Sequence, residues 1–472
     1  MNSGGDTMTV ATAPAATPAA AADPAERRRV ARLFHRAGFG ASVEEIDAWG
    51  AKGYTAAVDH LLAFAPAEGR PDDVEAAAIE ASVPGGRIRQ TDMSFWQRWW
   101  LDRMATTAYP LEEKLTLYWH RHFATGFSKV ERPQLMLRQN RLFRHHAGGN
   151  FRALAKAVTA DAAMLWFLDG NTNQNAALNE NYGREFMELF TLGAGRYSQA
   201  DVLEASRAFT GYTVDAQGTV TFNPALHDAG DKVIIGNRGK WGPEDVADIV
   251  LDRHPDGPVA AGYVAHRLAA FLHRPDPEPD VVAAMAGAFV GDGYAIKPMV
   301  RALLLRPEFS DGASLDIKSP VELVAGTIRA LRLAHVPVAP EGPQRRPKSD
   351  GFAAATTDMG QELFDPPSVA GWDGGATWAN TATMLSRYNF AAKVAKLVAD
   401  DVVRSTLAAS GGEPRDTPAA WMGRLGLIEL LPTTTTSLER YLDGSAKAGT
   451  DPATRARGVL TLLLASPDYN LR

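Results

Sequence analysis

The most concentrated polar stretch of the chain is Asn179-Glu180-Asn181-Tyr182-Gly183-Arg184-Glu185-Phe186-Met187-Glu188. A helix turning about 100° per residue gathers Glu180, Asn181, Arg184, Glu185 and Glu188 into an arc of roughly 140°, with Tyr182, Phe186, Leu189 and Phe190 opposite. Three carboxylates and a guanidinium on one face can orient a substrate or supply an acid–base pair with separated proton affinities. A solvated face laced with Glu–Arg pairs one turn apart uses the same residues. Upstream, Tyr118-Trp119-His120-Arg121-His122-Phe123 holds two histidines two positions apart. A helix points these in nearly opposite directions, which suits them poorly to one shared metal. His122 falls on the face of Leu115 and Trp119 and reads either as a satisfied core histidine or as a general base. A third set, His227-Asp228-Ala229-Gly230-Asp231-Lys232, offers a loop base and an anion contact. Asp and Gly are equally what a tight turn needs. Finally, Trp372 and Trp378 bracket a glycine pair, as a stacking surface for a sugar or other ring, or as plugs that pin an irregular loop.

The composition narrows the chemistry. Among 472 residues there is no cysteine, which excludes disulfides, thiol nucleophiles, iron–sulfur clusters and thiolate zinc sites. Any metal would need His, Asp or Glu, and no spacing argues for one. With 49 basic and 55 acidic side chains the net charge is −6, so no basic field draws the chain to nucleic acid. GxSxG, P-loop and dinucleotide fingerprints are missing, and no nucleotide cofactor is expected. The longest apolar candidate, VVAAMAGAFVG at 281–291, falls short of the roughly 18 residues a membrane span needs. Arg27-Arg28-Arg29 is followed by VARLFHRAGFG instead of an apolar stretch, so it does not read as a twin-arginine signal. Without a signal peptide, a cytoplasmic location is expected unless a partner carries the chain out.

The elements that must position these residues are mainly helical. Residues 1–26 are Ala, Pro and Thr with almost no large apolar side chain, and read as a disordered leader. Residues 27–472 read as a single large helical domain, because apolar residues recur with a helical period over segments such as Pro110–Phe123, Phe151–Phe167, Asn179–Thr191 and Pro320–Leu333. Ser319 is placed to cap the helix that Pro320 opens, and Pro279-Asp280 to start another. The stretch 211–236 breaks the pattern: its β-branched runs TVTF and KVIIG read as the two strands of an inserted β-hairpin. Residues 337–378 read as a long loop, and Pro432–Ser437 as a surface connection. VRALLLRPEF and VLTLLLASPDY echo each other, each a helix stopped by Pro with an aromatic that packs back.

Several segments together carry a likeness. RVARLFHRAGFGAS, YWHRHFAT, ENYGREFMELFTLG, HDAGDK, LLLRPEF, IKSPVELV and PPSVAGWDGGATWANTATMLSR occur in this order from about Arg28 onward. The chain resembles the bacterial domain of unknown function 1800 family over nearly its whole length. That resemblance implies a mainly helical fold and a phosphatase- or sulfatase-like protein, often with a twin-arginine signal, encoded beside it. It assigns interest to His122, Asn181, Arg184, Glu185, Glu188, His227, Asp228, Lys232, Trp372, Trp378 and Arg387. Gly183 stands where the family form carries alanine, and marks a close backbone approach. Two functions follow as expectations. In the first, a hydrolase of an envelope or extracellular polymer such as a glycan, His122, Glu185, Glu188, His227 and Asp228 do acid–base work. Asn181, Arg184, Lys232, Trp372, Trp378 and Arg387 then hold substrate, and His122, Glu185, His227 and Arg387 meet in one open pocket. In the second, a non-catalytic helical partner of that phosphatase-like protein, the same residues form closed, paired networks.

Overall fold

The computed structural model describes residues 23–66, 70, 93–312, 316–333 and 351–472, and helices dominate them. The organising element is the helix Pro110–His122, in which every residue except Arg121 is buried. It is buried on all sides although it carries Glu112, Glu113, Lys114, His120 and His122. Glu113 and Lys114 persist there because both are paired. Glu113 accepts from Arg144 at 2.5 and 3.0 Å, Arg103 at 2.6 Å and the Trp100 indole at 3.1 Å. Lys114 donates to Glu322 and to the Gly38 carbonyl. Around this axis, consecutive helices pack as neighbours: Val259–Leu272, Pro279–Gly291 and Ile296–Leu304 in one group, Thr381–Leu397, Pro432–Lys447 and Pro452–Ala465 in another. Among the described residues no helix is long and apolar enough to cross a membrane.

The helix starts follow local chemistry. Ser319 forms a complete capping box with Glu322 at the head of Pro320–Leu331, and Pro279 opens its helix with Asp280 in the first turn. Both copies of the echoed segment end in a short Pro-opened turn, Pro307–Ser310 and Pro467–Asn470, whose aromatics Phe309 and Tyr469 are buried.

Four expectations need correction. The β-branched runs are not partners of one hairpin. Strand β1 (Tyr212–Val214) pairs with β2 (Val220–Phe222), and β3 (Lys232–Ile234) with β4 (Asn237–Gly239), giving two separate antiparallel hairpins. Turn chemistry decides this. The Asp215 carboxylate accepts from the Gln217 and Thr219 amides to close the first turn. Ile235 and Gly236, both at positive φ, make the two-residue turn of the second. Next, Pro24–Glu26, read as the end of the leader, open the helix Pro24–Ala37, while residues 1–22 lie outside the described residues. Third, Pro432–Ser437 is the first turn and a half of the helix Pro432–Lys447: proline fits a first helical position, and Thr436 and Ser437 return their hydroxyls to the carbonyls four residues back. Fourth, within the long segment expected as loop, Phe352–Asp358 is helical and 337–350 lies outside the described residues.

Two helices are also divided. Phe151–Phe167 breaks at Asp161, which caps the Met164 amide and starts a second helix, Ala162–Phe167. Asn179–Thr191 becomes an α-turn, Asn181–Glu185, followed by a π-helix, Phe186–Thr191.

Candidate functional site

The π-helix explains where His122 goes. A π-turn widens the backbone and leaves carbonyls without their usual partners, and such turns recur at functional sites. Here His122 Nε2 donates to the Phe190 carbonyl at 2.9 Å, and the Tyr263 hydroxyl donates to the Leu189 carbonyl at 3.0 Å. The Thr191 hydroxyl returns to Phe186 at 2.6 Å. His122 is fully buried, and burial holds its proton affinity well below the usual imidazole range, so the ring is neutral. Its Nδ1 has no partner. The ring packs against Tyr118, Trp119 and Phe123.

The polar face of 179–191 is half exposed. Arg184 pairs with Glu180 at 3.0 Å, and Gln199 donates to the same carboxylate at 2.7 Å. Glu188 accepts from the Tyr197 hydroxyl at 2.5 Å. The Asn181 amide donates to the Asn179 side chain at 2.9 Å, closing the start of the turn. Partial burial, then the neighbouring Glu188, push the Glu185 carboxyl up. Gly183 fulfils its expectation: a β-carbon there would collide with Ser206 Oγ and come within 3.2 Å of the Ser206 amide nitrogen, so the α-turn and the helix Gln199–Ala208 approach backbone to backbone.

The HDAGDK loop forms its own network. Arg207 takes Asp228 with two bonds, at 2.7 and 3.1 Å, and also pairs with Glu204 at 2.9 Å. That guanidinium holds the Asp228 carboxyl below its ordinary range. His227 Nδ1 sits 3.1 Å from the Thr210 hydroxyl, which accepts from the Asp228 amide at 2.8 Å. Lys232 is inaccessible and donates to the Asp228 and Gly230 carbonyls.

The tryptophans serve as plugs. Trp372, 2% exposed, stacks on His120 with ring centroids 5.4 Å apart, and its carbonyl accepts from Arg121 at 2.8 Å. Gly371 lies at φ +92° against Arg121, where any side chain would strike the Arg121 carbonyl oxygen. Trp378 is buried too, and its carbonyl accepts from Arg387 at 3.3 Å. Arg387 also holds the Lys318 carbonyl at 2.8 Å and Asn470 at 3.1 Å. His122 hydrogen-bonds only to the backbone of the π-turn that follows Glu185, and among the described residues no hydrogen bond or ion pair joins the side chains of His122, Glu185, His227 and Arg387.

A different constellation borders open space. A cavity of about 870 Å³ lies between the helices Pro24–Ala37, Pro320–Leu331, Asp400–Ala409 and Thr417–Leu425, with Lys318 and Glu322 in its wall. A smaller one of about 140 Å³ adjoins it through Glu322 and includes Arg121, Asp316, Trp378 and Arg472. Glu322 accepts from Lys114 and, at 2.5 Å, from Arg472, which also reaches Asp316 at 3.2 Å. Burial raises the Glu322 carboxyl, but Arg472 and Lys114 outweigh it and hold it at about 2. None of Lys114, Lys318, Glu322 and Arg472 was singled out in the sequence, where only Ser319 of this segment read as a helix cap. The available signal was charge inside apolar helical runs, as in PLEEKLTLYW and IKSPVELV.

Among the described residues no three His, Asp or Glu side chains gather as a metal ion would require. The fold and its networks thus define a mainly helical protein with paired polar clusters and, among the described residues, a cavity of about 870 Å³. The chain belongs to the family described as protein of unknown function (DUF1800), whose family model matches residues 32–471. No curated protein and no solved structure matches it.

Proposed function

We propose that the protein is non-catalytic: a helical partner or scaffold whose motif residues hold its own body together, acting with the phosphatase- or sulfatase-like protein expected beside it. One observation carries this reading. His122, Glu188 and Asp228, three of the residues suited to acid–base work, each hold a partner of their own, the Phe190 carbonyl, the Tyr197 hydroxyl and Arg207, and among the described residues no hydrogen bond joins the three, which is how polar groups specify a unique core. The test is co-purification of the two proteins, with wild type and Glu185→Gln side by side. Equal capture of the neighbour by both, with no hydrolysis of envelope glycans by either, is the expected result. Glycan hydrolysis by wild type that Glu185→Gln abolishes while still folded overturns it.

The hydrolase reading keeps one observation in its favour. Glu185 is raised by burial and by Glu188, so one carboxyl of an adjacent pair is biased toward its acid form at a partly open π-turn. The same experiment decides between the two.

A further inference from the structure

Lys318 is buried, 5% exposed, yet among the described residues no group accepts a hydrogen bond from its ammonium and no carboxylate lies within ion-pair distance. Its Nζ stands over the Tyr469 ring, 4.1 Å from the centroid, in the wall of the 870 Å³ cavity. The surroundings explain the missing anion. Behind this wall Lys114, Arg387 and Arg472 lie close enough to repel the Lys318 charge, and the carboxylate facing it, Glu322, is already engaged by Lys114 and Arg472, as Asp316 is by Arg472. A lone buried ammonium is costly for a fold unless something pairs with it.

The rest of the cavity shows what that partner looks like. Ala41, Gly326, Ala330, Ala409, Ala420 and Gly423 give it smooth, small-residue walls, and Phe39 and Leu425 add apolar surface. Arg329, Arg332 and Arg424 also line it. Three acids line it: Glu322 is engaged as above, Glu45 accepts from the Ser42 amide at 2.9 Å and lies 3.6 Å from Arg329, and Glu44 stands beside it in the first turn of the helix Val43–Gly50. A space of this size holds a molecule of several hundred daltons.

We propose that this cavity is a binding site for an amphipathic organic acid, whose oxyanion head pairs with Lys318 Nζ and whose apolar body lies along the alanine and glycine walls. This goes beyond the scaffold reading and does not depend on it, since a partner protein can carry a ligand as readily as an enzyme can.

Protonation gives a signature. Burial, and then the balance of Glu322 against Lys114, Arg472 and Arg387, leaves the Lys318 amine at about 7. An anion beside it favours the charged form, so binding near pH 8 takes up a proton. His35, also in the wall, is held at about 3 by burial and by Lys318, and stays neutral. Glu322 stays ionised. Lys114, lowered to about 8 by burial, titrates nearby, so the proton is assigned through a Lys318 variant.

The test is titration calorimetry with octanoate, octyl phosphate and octanol at pH 8, in buffers of different ionisation enthalpy. Both acids are expected to bind with proton uptake and octanol at least tenfold more weakly; the better of the two acids identifies the head as carboxylate or phosphate. Lys318→Met should lose the acids at least tenfold, retain the weak octanol binding, and melt no lower than wild type. Ala420→Phe, which fills the slot and leaves Lys318 in place, should weaken all three. Octanol binding as tightly as the acids, acid binding unchanged in Lys318→Met, or no binding by any of the three overturns the proposal. If Lys318→Met fails to fold, proton uptake by wild type and the loss in Ala420→Phe decide instead: their presence sustains the proposal and their absence overturns it.

Discussion

His122 donates to the carbonyl of Phe190 across 68 residues of sequence, at 2.9 Å, and so ties the helix Pro110–His122 to the π-turn that follows Glu185. A buried carbonyl deprived of its donor costs about 1–3 kcal/mol. His122→Phe should therefore lower stability by about that much, measured by urea unfolding, because the Phe190 carbonyl loses its partner. His122→Asn, with a donor on a shorter side chain, should recover part of the loss. Equal losses in both variants would mean that ring packing, and not the hydrogen bond, is what His122 supplies.

Gly183 offers a second check. Alanine improves helix propensity by about 1 kcal/mol at an unconstrained site. Here its β-carbon meets Ser206, so Gly183→Ala should destabilise by about 1–3 kcal/mol instead. Adding Ser206→Ala removes the hydroxyl in the way and should restore part of that in thermal melts. A stabilised single variant would show that the two helices separate freely.

Glu112 gives a pH dependence. It is buried, with Arg70 as hydrogen-bond partner to one oxygen and none to the other, and burial raises its carboxyl to about 7. The folded value lies above the unfolded one of about 4.3, so ionisation opposes folding: the cost is absent below that pH and complete above 7. Glu112→Gln should be more stable than wild type by about 1–2 kcal/mol at pH 8, and the difference should fade toward pH 4. A difference that does not change with pH would contradict the raised carboxyl.

Glu113 and Glu322 should act in the opposite direction. Burial alone would raise them, but their arginine and lysine partners hold both at about 2. Their stabilisation is present above the unfolded carboxylate range and is lost as pH falls through that range toward 2. Acid unfolding should begin at a higher pH in Arg144→Met, which removes one partner from Glu113. An unchanged acid midpoint would mean that Arg103 alone suffices.

Asp228 and Arg207 supply the last prediction. Asp228→Asn keeps the turn's size but ends the two-bond ion pair, and should cost about 1–2 kcal/mol while leaving the far helices unaffected. Hydrogen exchange should rise across 207–232 and nowhere else. Faster exchange throughout the protein would show that the loop is needed for global folding.

Local chemistry was the legible part of this sequence. Ser319 before Pro320 announced a cap, and Gly183 a close approach, because each rests on residues a few positions away or on the absence of a side chain. The π-turn was not legible, since its carbonyls depend on His122 and Tyr263, more than sixty residues away in either direction. Nor was Arg207 as the partner of Asp228, because helix periodicity says which face an arginine occupies but not what arrives there. The pairing of TVTF failed for a simpler reason. Two β-branched runs suggested one hairpin, while Asp215 and the Ile235-Gly236 pair specified a turn beside each.

The buried charges of Pro110–His122 have a consequence for how the chain is made on the ribosome. Glu113 finds Arg144 within 31 residues, but Lys114 waits for Glu322, 208 residues later, and Glu322 waits 150 more for Arg472. Until Glu322 has emerged, burying the central helix leaves the Lys114 ammonium without a carboxylate, which is costly in a core. A nascent chain shorter than that is therefore expected to hold its central helix at the cost of one unpaired charge, which is a penalty on early closure of the core.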